Sequence, residues 1–173
     1  LMKTIRTIII AALGALAACS PATTELEDYT GYVNVRIGSG GHGHVFVGAS
    51  VPFGAVQLGP TSIPQQWDWC SGYHSSDSTV IGFSHTHLSG TGIGDLFDIT
   101  LMPVVGAVRY SRGEEPKDST PEAIAAAQAT GMWSYADRTK EITKPGYYSV
   151  PLTRYGITAE MTATERVGLH RYT

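Results

Sequence analysis

Residues 145–173, "PGYYSVPLTRYGITAEMTATERVGLHRYT", decide the fold. Tyr148, Val150 and Leu152 alternate with polar or smaller residues. Ile157, Ala159, Met161 and Ala163 then alternate with Thr158, Glu160, Thr162 and Thr164. A period of two puts one face in a core and the other in water, so this stretch predicts two antiparallel strands around a turn near Tyr155–Gly156. Earlier segments carry the same signal in shorter pieces: Val45–Val47, Val56–Leu58, "STVIGFSHTHL" with Val80, Ile81 and Phe83, and "DITLMPVVGAVRYS", broken at Pro103. Twenty glycines and nine prolines supply the turns that many short strands need. One helix is expected to interrupt them. "STPEAIAAAQATG" has Ser119 three residues before Glu122, a capping-box spacing, with Pro121 in the first turn and Gly131 as a stop. The residues therefore read as mainly all-β, with a short helical insertion. The alternation is still running at Thr173, and on that ground the chain is expected to be a fragment of something larger.

The other end has a different character. "MKTIRTIIIAALGALAACS" joins a short basic start to an apolar run, Ile8–Ala18, too short to span a bilayer comfortably. Small residues before Cys19 resemble a bacterial lipoprotein signal. Residues 1–18 are thus expected to be a signal peptide, Cys19 the lipidation site and residues 19–31 a polar tether, which implies a membrane partner and an envelope location. Lipid on Cys19 would leave Cys70 without a disulfide partner. The net charge of −3 and the lack of a basic cluster argue against nucleic acid.

The chemistry concentrates in "WDWCSGYHSSDSTVIGFSHTHLSGTGIGD", residues 67–95, which holds three carboxylates and no lysine or arginine. Trp67 and Trp69 flank Asp68; exposed indoles stack on sugar faces while nearby polar groups take hydroxyls. Equally, the two would share a face of a strand and could both be core. Two histidine pairs, His42/His44 and His85/His87, have the i,i+2 spacing that aims side chains together on a strand, and four imidazoles would suit zinc. A cupin-like barrel site would add a glutamate, yet none occurs between Glu27 and Glu114. "SGTGIGD" lacks the Gly-Lys-Ser/Thr ending of a phosphate loop.

Three blocks, "GSGGHGHVFVGASVPFGAVQLGP", "WDWCSGYHSSDSTVIGFSHTHLSGTGIGDLFDITLMP" and "KPGYYSVPLTRYGITAEMTATERVGLHRY", together resemble the N-terminal domain of glycoside hydrolase family 92, the bacterial exo-acting α-mannosidases. The resemblance runs over residues 32–173. It departs at Val35-Arg36, where Pro-Phe is expected, at Val47 for a proline, at Ile93 for a cysteine, and across residues 113–135. It implies an antiparallel β-sandwich packed on an (α/α)6 toroid, inverting and calcium-dependent hydrolysis of mannose-containing glycans, and a catalytic acid, base and calcium ligands contributed mostly by the helical domain. On this reading no catalytic or metal residue is assigned to the chain. Trp67, Asp68, Trp69 and Cys70 are the first candidates for substrate contact, with Tyr73, His74, His85 and His87 behind them. A freestanding carbohydrate-binding module and a metal-binding jelly roll built on His42, His44, His85 and His87 are the alternatives.

Overall fold

The computed structural model describes residues 27–108, 110–111, 116–118 and 120–173, with the side chains of 124 and 128 excepted. The signal peptide, Cys19, most of the tether and Ser119 lie outside the described residues. Among the described residues, no helix is long and apolar enough to cross a membrane.

The alternating stretch forms a four-stranded antiparallel sheet, β6 (Ile142–Lys144), β7 (Tyr147–Leu152), β8 (Ile157–Ala163) and β9 (Gly168–Tyr172), in that spatial order. Register pairs Val150 with Ala159 and Leu152 with Ile157 about a turn that closes at Gly156, whose φ of +63° suits glycine. A second antiparallel sheet runs β1 (Ala49–Ser50), β2 (Gln57–Thr61) and β4 (Gly82–Ser84); β3 (Thr79–Val80) pairs with β5 (Ser134–Tyr135). Tyr148, Val150, Leu152, Ala159 and Met161 of the first sheet pack with Val47, Ala49, Leu58, Tyr73 and Phe83 in one core. Sheets that bury one face each against the other make a sandwich. A smaller core gathers Ile63, Ile81 and Ala127 around the buried Trp133, whose indole donates to the Ala127 carbonyl at 3.0 Å.

Several short elements differ from the sequence expectation, for identifiable reasons. Val45–Val47 forms no strand, because the Val45 N–H is engaged in a turn to the Gly38 carbonyl at 3.2 Å. "STVIGFSHTHL" splits at Ile81: β3 joins β5 while β4 joins β2, and Gly82, at φ +156°, turns the chain between them. Among the described residues of "DITLMPVVGAVRYS" only Leu101 bridges, to Phe83, and left-handed backbone at Ile99 breaks the extended run before it. The helix α1 is Pro121–Ala129, and its N-cap is Thr120, one residue past the expected Ser119; the Thr120 hydroxyl accepts from the Ala123 N–H at 3.3 Å. Gly131, at φ +72°, follows its end.

Glu141 ties the two halves together. Its side chain is wholly buried, yet it pairs with Arg36 (Nη2 to Oε2, 2.6 Å) and Arg138, and accepts from the hydroxyls of Tyr73 (3.1 Å) and Tyr148. The Arg138 guanidinium lies over the Tyr73 ring, 4.6 Å from its centre. A buried carboxylate persists only when its charge and lone pairs are met in this way. On the solvent side, Ile93, Leu96, Ile99, Leu101, Val105 and Val108 form an exposed apolar run.

Candidate functional site

Trp67, Asp68 and Trp69 sit on a single turn of 3-10 helix rather than a strand, so the two indoles do not share a face. Trp67 is 62% exposed, and its Nε1–H donates to the Gly92 carbonyl at 2.8 Å. Gly92 allows this approach: a Cβ there would stand 2.9 Å from the indole. Trp69 turns the other way. Its Nε1–H donates to Asp77 Oδ2 at 2.8 Å and its ring stacks on His74 at 4.3 Å. Between this turn and residues 92–97 opens a cleft of about 440 Å³, lined by Trp67, Trp69, Cys70, Gln65, Asp95 and Phe97 among others. An aromatic wall with a few polar groups is the usual make-up of a small-ligand site. Cys70 is buried in its floor as a free thiol.

Asp68 is not among the residues that line the cleft. Its Oδ1 meets His42 Nδ1 at 2.7 Å and His44 Nε2 at 3.1 Å. The His42 hydrogen bond is the main reason its pKa falls below the ordinary carboxylate value. Edge-on contact between the His44 and Trp67 rings, 4.2 Å between centres, joins this cluster to the exposed indole.

The remaining candidates are scattered. Tyr73 is buried in the Glu141 cluster, and the His74 Nδ1 meets the Ser76 hydroxyl at 2.7 Å. His85 donates from Nδ1 to the Ile99 carbonyl at 2.7 Å, and its Nε2 lies 3.1 Å from His170 Nε2. His87 is 2% exposed, stacked on Phe46, and donates from Nδ1 to the Gln57 carbonyl at 2.7 Å; burial pulls its pKa down to about 4, so it is neutral. The four histidines of the jelly-roll alternative therefore do not converge. The spacing of His42 and His44 did point to a shared target, but Asp68 as that target and His170 beside His85 carried no sequence signal.

Among the described residues, His42, His44 and Asp68 are the only group of three or more possible metal ligands, with ligand atoms all within 4.8 Å of one another. Calcium takes six to eight oxygens; two ring nitrogens and one carboxylate do not fit it. A glycosidase acid requires a raised pKa. Asp28, Asp68, Asp118, Asp137 and Glu160 are instead shifted downward, chiefly by hydrogen bonds they accept.

The family model for the glycosyl hydrolase family 92 N-terminal domain matches residues 32–173. The chain belongs to glycosyl hydrolase family 92. A family-92 α-mannosidase of Bacteroides thetaiotaomicron, solved with mannoimidazole, is 39% identical, superposes with a TM-score of 0.72 and is covered over 18% of its length by 85% of this chain. A second family-92 glycosyl hydrolase structure is 26% identical, with a TM-score of 0.67, over 84% of this chain and 19% of its own. An uncharacterized secreted glycosidase of Arthroderma benhamiae is 30% identical over 92% of this chain and 19% of that protein. The chain thus spans about a fifth of the length of these relatives. Its sandwich is the fold of the family-92 N-terminal domain.

Proposed function

We propose that this chain is the substrate-contacting N-terminal domain of an inverting, calcium-dependent exo-α-mannosidase that trims mannose-containing glycans. The observation that carries this reading is the cleft beneath the exposed Trp67 in a chain of this family. Trp67 offers its apolar face to a sugar ring, Gln65 and Asp95 in the cleft lining offer polar groups to hydroxyls, and Trp69 and Cys70 shape the pocket. Inverting hydrolysis needs two carboxyls roughly 6.5–9.5 Å apart, one of them held protonated. On this reading the acid, the base and the calcium ligands come from the rest of the polypeptide, and this domain supplies one wall of the sugar site. The exposed apolar run from Ile93 to Val108 is the surface such a helical domain would cover. Export fits the secreted relative, and lipid attachment at Cys19 would hold the enzyme at the cell envelope.

The test is α-mannoside hydrolysis by the longest natural polypeptide containing the chain, beside the chain alone. Turnover by the former, lost at least ~100-fold in Trp67→Ala and absent from the chain alone, is the expected result. Mannose-oligosaccharide binding by the chain alone, with no turnover by either, would instead make it a freestanding binding module.

A further inference from the structure

We propose that His42, His44 and Asp68 form a binding site for a first-row divalent transition metal of the zinc class, independent of the mannosidase reading. Three features build it. First, His42 Nδ1 and His44 Nε2 aim at the same atom, Asp68 Oδ1, at 2.7 and 3.1 Å. A tetrahedral ion with bonds of roughly 2.0–2.2 Å would sit among donors spaced at about 3.2–3.5 Å, so a small relaxation of these contacts admits it. Two imidazoles and a carboxylate are a donor set that zinc and its neighbours favour, and they leave one position open.

Second, the backbone is forced into the arrangement. His44 has φ +54°, a left-handed conformation that non-glycine residues adopt only when the surrounding structure holds them there. Hydrogen bonds from Val45 N–H to the Gly38 carbonyl (3.2 Å) and from Gly90 N–H to the His44 carbonyl (2.6 Å) hold it there. Gly43 cannot be replaced without moving the loop, since a Cβ would stand 2.1 Å from the Gly38 carbonyl oxygen. The strained residue is the one whose ring is buried against Asp68 and braced edge-on by Trp67. Third, an ion can reach the site: the His42 side chain is 79% exposed, whereas those of His44 and Asp68 are 7% and 19% exposed. On binding, each ring turns a lone pair to the ion, and the proton it directs at Asp68 is carried on the opposite ring nitrogen.

The experiment is a zinc titration of tag-free, full-length protein containing the chain, with cobalt(II) absorption as a second probe. One equivalent of zinc retained through gel filtration, and a tetrahedral cobalt band, are expected. His42→Ala, at an exposed position that leaves the fold intact, and the isosteric Asp68→Asn should each weaken binding by about 100-fold or more. His170→Ala, which opens the only other close imidazole pair among the described residues, should leave affinity unchanged. Substoichiometric zinc, affinity indifferent to His42→Ala and Asp68→Asn, or loss on His170→Ala would each overturn the proposal. In the first two cases the histidines are simply hydrogen-bond donors that orient Asp68.

Discussion

The hairpin of β7 and β8 and the glycine-rich region from Gly38 to Leu101 are built on opposite principles. The hairpin is regular: six consecutive register pairs, one face with Tyr148, Val150, Leu152, Ala159 and Met161 buried, every extended residue in its ordinary conformation. The glycine-rich region has strands of two to five residues, and all five described non-glycine residues with left-handed φ fall within it, from His44 to Ile99. The cleft, the exposed Trp67 and the His42–His44–Asp68 cluster all lie there too. Regular backbone can satisfy itself and bury a face, but it offers few directions in which to aim a side chain. Irregular backbone aims side chains freely and must be held in place from outside, here by side-chain hydrogen bonds and the sheet behind it.

That contrast can be broken hardest at Glu141, which joins the two regions. Glu141→Ala leaves Arg36 and Arg138 without their shared carboxylate and should cost about 3–5 kcal/mol, read as a shift in the urea midpoint. Glu160→Ala, which removes a solvent-screened pair with Arg171 and a hydrogen bond from the Tyr147 hydroxyl on the regular sheet, should move the midpoint far less. Equal effects would mean the buried cluster does not hold the halves together.

The next largest effect concerns pH. His87 is neutral in the fold because burial lowers its pKa from 6.5 to about 4. The unfolded chain therefore binds the extra proton first, and stability falls as pH drops from about 6.5 to about 4, by roughly 3 kcal/mol, and levels off below that. The urea midpoint of His87→Gln should lack this component of the acid slope; an unchanged slope would contradict the buried neutral imidazole.

Smaller changes sharpen the comparison. Gly43→Ala should cost about 1–3 kcal/mol by pushing the loop off Gly38, and hydrogen exchange should quicken around His44 while the hairpin stays protected. Trp67→Ala should shift the melting temperature least, since the indole is largely exposed, while abolishing any sugar-induced change in fluorescence.

The same contrast explains what the sequence could disclose. Strands β7 and β8 were legible because each has one dry face and one wet face, and α1 because alanines, Pro121 and Gly131 mark it locally. Val45–Val47 misled because β-branched residues favour extended backbone wherever it is found, while the turn to Gly38 was invisible. The Trp67–Cys70 block could be picked out by composition alone. What could not be read was direction. Asp68 meets partners 24 and 26 residues away, and Tyr73 turns inward to Glu141, 68 residues on. The i,i+2 spacing of His85 and His87 does not disclose that the His87 ring lies in the core against Phe46.

The span of the Glu141 cluster also bears on how the molecule assembles. The β7–β8 hairpin closes a turn of four residues, whereas the Tyr73–Glu141 contact must close a loop of 68. Short loops close early and long ones late, because the entropy of closure must be met before the contact rewards it. The sheet should therefore form first and act as a template, with the glycine-rich region docking afterwards and the cleft taking shape last. Pulse-labelled exchange should find the β7–β8 amides protected before those of residues 38–101, and the reverse order would show that the cleft nucleates the fold.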